Sequence, residues 1–406
     1  MERVEAAEAG FDPERLARID RFLDERYLAP ELLSGAQLLI AREGKVVHFS
    51  TAGKARAGGE PMGEDALFRI ASMTKPVTSI AFMMLVEEGK VTLDQAVETV
   101  IPEWKGLGVY DGGGAGAPFL TRPAERPMTM IDLLRHTSGL TYSFQHRTNV
   151  DEAYRTRKIE GWHGDLDLDG FVAALAEIPL EFSPGTAWNY SVSTDVLGLV
   201  VERVSGMKLD AFFEARIFAP LGMADTAFHV PADKVDRLGD AWVFQPGKGA
   251  KLYDPGARSA WSRAPRLLAG GAGLVSTAAD YHRFCSMLLN GGDLGGARLV
   301  GRKTLELMTA NHLPGGADLT EMSRSLFSEA INAGQGFGLG FGINLDPAKT
   351  MLPGSKGEYY WGGMFSTAFF VDPVERLHMI FMTQLMPSST YPIRRQLKTL
   401  IYSALK

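Results

Sequence analysis

Apolar positions along the chain change period several times, and each change marks an element. Residues 12–28 place Leu16, Ile19 and Leu23 on one helical face, with Asp12 set to cap the helix and Pro13 suited to its first position. AQLLIA (36–41), the turn REGK and VVHFST (46–51) predict a β-hairpin. TSIAFMMLVEEGK is apolar around most of its circumference and predicts a core helix ended by Gly89. Residues 106–127, GLGVYDGGGAGAPFLTRPAERP, are rich in Gly and Pro and predict a long loop of the kind that borders functional sites. MTMIDLLRHTSGLTYSF predicts a helix ending near Gly139. Short helical patterns then run to about residue 225, among them STDVLGLVVERVSG, which closes at Gly206.

From residue 330 the period changes again. GFGLGFGI alternates Gly with large apolar residues, as a strand with one bare face does. YYWGGMFSTAFFVDP and ERLHMIFMTQL predict two further strands joined at DPVE, and IRRQLKTLIYSALK predicts a closing amphipathic helix. The pattern therefore predicts an α+β fold in which one antiparallel sheet is built from both ends of the chain. Residues 1–95 and 262–406 form the sheet domain, residues 96–261 an inserted helical domain, and the cleft between them the site.

At 406 residues the chain is long enough for two such units. A net charge of −6 gives no basic surface for nucleic acid, and no apolar run approaches the length of a membrane span. The first residues, MERVEAAEAGFDPERLARID, lack the apolar core of an export signal, so a cytoplasmic protein is expected. The single cysteine, Cys285, sits at helical spacing among apolar neighbours and reads as a buried small hydrophobe. Nothing in these features decides oligomeric state, and homo-oligomerisation stays open.

Candidate chemistry starts at RIASMTKPVTS (69–79), where Ser72 precedes Lys75 by three residues. Chance supplies about one or two Ser-x-x-Lys pairs in a chain of this size, and this chain has three: Ser72/Lys75, Ser205/Lys208 and Ser403/Lys406. Helix position separates them. A helix N-terminus offers free N–H groups and partial positive charge to a developing oxyanion. Only Ser72 stands at a helix start, which Pro76 supports. Ser205 ends its helix, and Ser403 lies in a last turn expected to fray. Residues three apart share a helix face, so the Lys75 amine reaches the Ser72 hydroxyl, and burial would lower its pKa toward that of a base. From this stretch alone, catalysis stands beside the plainer reading of a capping serine and a solvated lysine.

SMTK in this setting resembles the serine β-lactamase and penicillin-binding-protein superfamily, and most of all its class C-like branch. Further stretches match in order: IDLLRHTSGLTYSF (131–144), FSPGTAWNYS (182–191), AGGAGLVSTAADYHRFCSMLLNGG (269–292) and WGGMFSTAFFVDP (361–373). The last stands where Lys-Thr-Gly is expected, and its Trp-Gly-Gly form resembles the family VIII carboxylesterases. The resemblance implies a β-lactamase/transpeptidase-like fold with Ser72 as nucleophile, Lys75 as its activating partner and Tyr190 as general base or proton relay. It implies an oxyanion hole from the backbone N–H groups of Ser72 and Met364, and substrate contacts from Trp361, Gly362, Gly363 and Val192.

Two departures bear on substrate. Trp361 replaces a cation with a flat apolar ring, and Val192 replaces an amide with an alkyl group. Both favour a neutral ester of short to medium acyl chain over an anionic amide. The missing lysine also removes a charge that would help ionise Tyr190, which favours Lys75 as the primary base. Lys356, in GSKGEYYW, is a candidate replacement cation.

The expected partner is a small-molecule ester, with no cofactor, no nucleic acid and no membrane. β-Lactam or D-amino-acid peptide cleavage, small-amide hydrolysis and acyl transfer are alternatives on the same scaffold. An inactive ligand-binding homologue is the alternative outside enzymes. No Gly-x-Ser-x-Gly elbow is present, and His136 in RHTSGL reads as a loop-holding residue. DLDLDG (165–170) begins like a calcium loop but has Ala176 where the final glutamate belongs, so Asp167 or Asp169 reads as a helix cap. No metal-ligand cluster is implied.

Overall fold

The computed structural model describes residues 1–59, 61–160, 164–325 and 333–406. Helix α1 (Pro13–Leu23) starts as its sequence predicts: Asp12 Oδ1 accepts from the N–H groups of Glu14 at 2.9 Å and Arg15 at 3.2 Å. Strands β1 (Gly35–Arg42) and β2 (Lys45–Gly53) form the expected hairpin. Its two turn residues, Glu43 (φ 53°) and Gly44 (φ 76°), carry the positive φ pair that matches strand twist.

The C-terminal half supplies five more strands: β3 (Gln335–Phe337), β4 (Gly342–Asn344), β5 (Tyr359–Gly362), β6 (Ala368–Asp372) and β7 (Leu377–Met382). The sheet order is β3-β4-β5-β6-β7-β1-β2, with every neighbour antiparallel. The join between chain ends is β1 on β7, in register from Gln37↔Met382 to Arg42↔Leu377. Leu38, Ile40, Phe370, Met379 and Phe381 pack toward α1 and the C-terminal helix. Leu39, Ala41, Phe369, Val371, Ile380 and Met382 pack toward the rest of the molecule. Burial on both faces explains why these strands read as continuous apolar runs.

On the inner side lie α2 (Thr74–Glu87), α3 (Met130–Leu134), α4 (Asn149–Thr156), α5 (Leu168–Ala176), α6 (Ser193–Ser205) and α7 (Ala278–Leu289). Helix α2 packs on α6, and every residue from Thr74 to Leu85 is buried. Gly89 (φ 68°) and Gly206 (φ 73°) stand just past the ends of α2 and α6. Cys285 is buried within α7, and Asp167 caps α5 by accepting from Gly170 N–H at 2.9 Å. A strand at Ala241–Gln245 pairs antiparallel with Gly249–Asp254 and parallel with Leu385–Met386, tying this stretch to the C-terminal strands. The chain closes with α8 (Ile393–Ala404), whose end does not fray: Lys406 N–H donates to Gly10 O at 3.0 Å. No helix among the described residues is long and apolar enough to cross a membrane.

Three sequence expectations change. YYWGGMFSTAFFVDP is two strands, β5 and β6, folded back at residues 363–367, where Ser366 takes φ 68°. GFGLGFGI likewise turns between β3 and β4, with Gly340 at φ 96°. Alternating Gly and apolar residues looked like one strand because the turn is itself apolar and buried. The 106–127 segment is a hairpin, Val109–Gly114 with Ala117–Arg122, whose glycines serve the register shifts at Gly112 and Gly114. It leans on α4 and the 180 region through Asn149 Nδ2 to Gly113 O (2.7 Å) and Tyr110 N to Leu180 O (2.8 Å). Of the two clefts beside it, one is lined by Leu107, Phe119 and Ile178 and the other by Leu107, Trp104 and Leu180, and none of the catalytic candidates lines either.

The 136–142 loop after α3 positions the segment that carries Tyr190. His136 O accepts from Asn189 N–H at 2.9 Å, Leu140 O from Asn189 Nδ2 at 3.0 Å, and Thr141 O from Val192 N–H at 3.2 Å. That loop is pinned by Asp132, fully buried, whose carboxylate accepts from Thr137 Oγ1 (2.7 Å), Arg126 Nη1 (2.6 Å) and Arg135 Nη2 (3.1 Å). Removing that carboxylate strands the buried Thr137 hydroxyl and breaks the pairs with Arg126 and Arg135. Asp132→Ala should therefore lower unfolding free energy by about 3 kcal/mol, read by urea denaturation; a loss within about 0.5 kcal/mol, the usual effect of a surface substitution, would contradict the pinning role.

Candidate active site

The nucleophile candidate sits where the chain enters α2. Ala71–Met73 forms a single 3₁₀ turn, and Ala71 holds φ 46°, a left-handed value rare for a residue with a side chain. The turn is fixed from three sides: Tyr281 OH donates to Met73 O (2.9 Å), Leu274 N–H to Thr74 Oγ1 (3.1 Å), and Thr78 Oγ1 to Gly270 O (2.6 Å). Ser72 is thereby left half-buried at the helix start while its neighbours on α2 are enclosed.

Two groups meet its hydroxyl. Lys75 Nζ lies 3.2 Å from Ser72 Oγ, and Tyr190 OH donates to the same oxygen at 2.6 Å. Lys75 is 1% exposed, and it also donates to Gly271 O at 2.7 Å and Tyr142 OH at 2.9 Å. Burial brings its pKa down to about 7, opposed by the charges of Asp195 and Glu160. Asp195 is itself tied into this wall, since Gly271 N–H donates to its Oδ1 at 2.9 Å. Burial raises the Asp195 carboxyl, and the Lys75 charge pulls it back. Glu160 is half-buried as a residue, with its carboxyl facing inward on Ser143 N–H at 2.5 Å; burial lifts it to about 8.

Burial also raises Tyr190 above the ordinary phenol range, while its hydrogen bond with Ser72 and the charge of Arg394 lower it. The resting phenol is therefore neutral at pH 7. Its ring is held edge-on by His136 (5.1 Å) and Tyr142 (5.1 Å) and tilted against Trp361 (5.5 Å). Phe144, 40% exposed, stacks on Tyr142 at 4.7 Å and gives the site an apolar outer edge.

The third-motif residues divide. Gly363 lies against the chain leading into Ser72: a Cβ there would sit 2.4 Å from Ile70 O. This brings the 363–367 turn, with half-buried Met364, beside Ser72. Gly362 ends β5 against the Arg394 guanidinium. Trp361 is 1% exposed, packed on Tyr190 and Phe337, so its indole is a packed support and not an open platform. Val192 is also 1% exposed and belongs to the core at the start of α6. Lys356 lies on an exposed turn, and the cation that acts on Tyr190 from this side is Arg394.

The rival Ser-x-x-Lys pairs are occupied elsewhere. Lys208 Nζ pairs with Glu202 at 2.8 Å and Ser205 Oγ accepts from Met207 N–H at 3.2 Å, while Ser403 Oγ donates to Leu400 O at 2.7 Å. His136 contacts Ser191 Oγ at 3.2 Å and is buried, which depresses its pKa well below the ordinary imidazole value. Sequence reasoning missed Tyr142, Glu160, Asp195, Gly271 and Arg394. Asp195 carried a usable signal, an acid placed directly before the apolar run Val196–Val201 and five residues after Tyr190. Arg394 carried none, since a basic residue on an amphipathic helix reads as solvated.

Comparison with known proteins agrees with this geometry. The family described as Beta-lactamase matches residues 25–402. The chain is 36% identical to Protein Rv1367c of Mycobacterium tuberculosis over 361 residues, 88% of this chain and 87% of that protein. It is 31% identical to Esterase EstB of Burkholderia gladioli over 402 residues, 90% of each. Among solved structures it resembles EstCE1, a hydrolase with promiscuous acyltransferase activity, at a TM-score of 0.79 and 25% identity, covering 96% of this chain and 99% of that one. With its family match spanning nearly the whole chain and an antiparallel sheet joined to a helical insert, this protein belongs to the beta-lactamase family of serine hydrolases.

Proposed function

We propose that the protein hydrolyses carboxylic esters of short to medium acyl chain through an acyl-enzyme on Ser72. The observation that carries this reading is the Ser72 hydroxyl bracketed by Lys75 Nζ at 3.2 Å and Tyr190 OH at 2.6 Å. With its pKa near 7, Lys75 is substantially neutral at physiological pH and accepts the serine proton as Oγ attacks the ester carbon. The carbonyl oxygen becomes an oxyanion held by the Ser72 and Met364 N–H groups, each such donor supplying about 2.7–4 kcal/mol. Tyr190, a neutral phenol, relays the proton to the departing alkoxide, which leaves as the alcohol. Water then repeats the attack on the acyl-enzyme and releases the acid.

An ester is favoured over a β-lactam for three reasons. Position 361 holds no cation and position 192 no amide, their Trp and Val side chains being packed inward, and Phe144 and Tyr142 edge the site with aromatic carbon. Likeness to Esterase EstB points the same way. A second reading, acyl transfer to an alcohol acceptor, is favoured by the likeness to EstCE1. It uses the same acyl-enzyme and differs only in what intercepts it.

A fluorophosphonate probe should label the native protein and not Ser72→Ala; equal labelling of both would place the nucleophile elsewhere. Lys75→Ala should lower kcat/KM for p-nitrophenyl butyrate by about 10³-fold, and substantial residual activity would mean another base. Because Lys75 must be unprotonated to act, kcat/KM should fall as pH drops through about 7, in one protonation step per active site; a flat profile down to pH 5 contradicts the assignment. p-Nitrophenyl butyrate should be turned over faster than nitrocefin, and the reverse order would overturn the ester preference. Added short alcohols should divert product from acid to ester if the acyl-transfer reading holds.

A further inference from the structure

Helix α8 lies behind β5 and β6, the strands that flank the 363–367 turn. It turns a polar file toward them at four-residue spacing: Arg394, Lys398 and Tyr402. Lys398 Nζ donates to Glu358 Oε1 at 2.6 Å, and Tyr402 OH bonds Glu358 Oε2 and Asp372 Oδ2, each at 2.6 Å. These two side chains hold the far ends of the strands. Arg394 reaches the turn itself, donating from Nη2 to Gly363 O and to Thr367 O, both at 2.7 Å.

Gly363 and Thr367 are the closing pair of that turn, joined by Gly363 N–H to Thr367 O at 2.9 Å. Gly363 O also accepts from Ser366 N–H at 3.0 Å. The guanidinium therefore holds the turn at both ends. Its approach requires Gly362, where a Cβ would lie 2.7 Å from Arg394 Cζ. On the opposite side the turn meets Ile70 O, one residue before the 3₁₀ turn of Ser72. The turn is clamped between a cation on α8 and the backbone of the nucleophile.

Peptide geometry makes that clamp directional. The Gly363 carbonyl and the Met364 N–H belong to one planar trans peptide, so they point in opposite directions. Anchoring the carbonyl to α8 aims the N–H away from α8. A charged donor on the carbonyl also polarises the peptide and strengthens its N–H as a donor. We propose that Arg394 is a positioning residue for the oxyanion site, strapping the Gly363 and Thr367 carbonyls so that the Met364 N–H faces the oxygen of the tetrahedral intermediate. The proposal rests on the acyl-enzyme reading of Ser72.

The test compares Arg394→Ala and Arg394→Lys with Lys398→Met, which removes the neighbouring ion pair on the same helix. Each is assayed for p-nitrophenyl butyrate turnover and for inhibition by an alkyl boronic acid, whose tetrahedral Ser72 adduct places an oxygen at the oxyanion position. Arg394→Ala should lower kcat about 10- to 100-fold with KM changed less than about twofold, and weaken boronate inhibition by the same factor. Arg394→Lys, or guanidinium added to Arg394→Ala, should recover part of both losses. Lys398→Met should lower Tm while leaving the ratio of boronate affinity to ester KM unchanged.

Unaltered boronate inhibition in Arg394→Ala overturns the proposal, as does an equal loss in Lys398→Met. A wild type that takes up no fluorophosphonate at Ser72 overturns the acyl-enzyme reading and this proposal together. A labelled wild type with an unaffected Arg394→Ala overturns this proposal alone.

Discussion

The burial of one amine governs the rest of this site. Lys75 lies on a helix enclosed on every side, where taking an ammonium out of water costs several kcal/mol. The chain meets that cost partly by letting the amine lose its proton near pH 7 and partly by bonding it to Tyr142 and Gly271. Asp195 and Glu160 hold the value from falling further. In the proposed mechanism this amine is the base beside the Ser72 hydroxyl, a role that an exposed lysine with its usual pKa could not fill. Tyr142, Tyr190 and Gly271 come from three separated segments, so the loop after α3, the start of α6 and the segment before α7 must all converge on α2.

The turn proposed to hold the oxyanion is set by a different pair of segments. The turn between β5 and β6 meets the Ser72 turn at Ile70 and meets α8 at Arg394. The two ends of the chain share one sheet through β1 and β7, so the helix of Ser72 and the 363–367 turn rest on a common layer. Helix α8 lies across that layer, and its polar file joins strand ends to the turn. The segment that carries Tyr190 reaches Ser72 through the Asp132-pinned loop.

The helices at 13–23, 74–87 and 193–205 were legible because their apolar spacing and end signals agreed. Ser72 was legible because helix position distinguished it from Ser205 and Ser403. The turn at 363–367 was not, although it holds Gly363, Ser366 and Thr367, because these residues are buried and set among Trp361, Met364 and Phe365 within a longer apolar stretch. The hairpin at 109–122 read as a loop because bulges consume its glycines. The amine's surroundings were hidden for another reason. Glu160, Gly271 and Arg394 reach the site only through tertiary convergence, and no local pattern separates them from surface residues. Trp361 was visible as a departure, but its role as packing beneath Tyr190 depended on neighbours distant in sequence.

The most direct test of this account is the protonation state of Lys75 itself. Protein labelled with ¹³C at lysine Cε would be titrated by NMR, with the Lys75 resonance assigned by its loss in Lys75→Ala. The expected midpoint lies near pH 7, well below the ordinary value for a lysine side chain. A Lys75 resonance that stays protonated above pH 9 would contradict it, because the amine beside Ser72 could then not serve as the base.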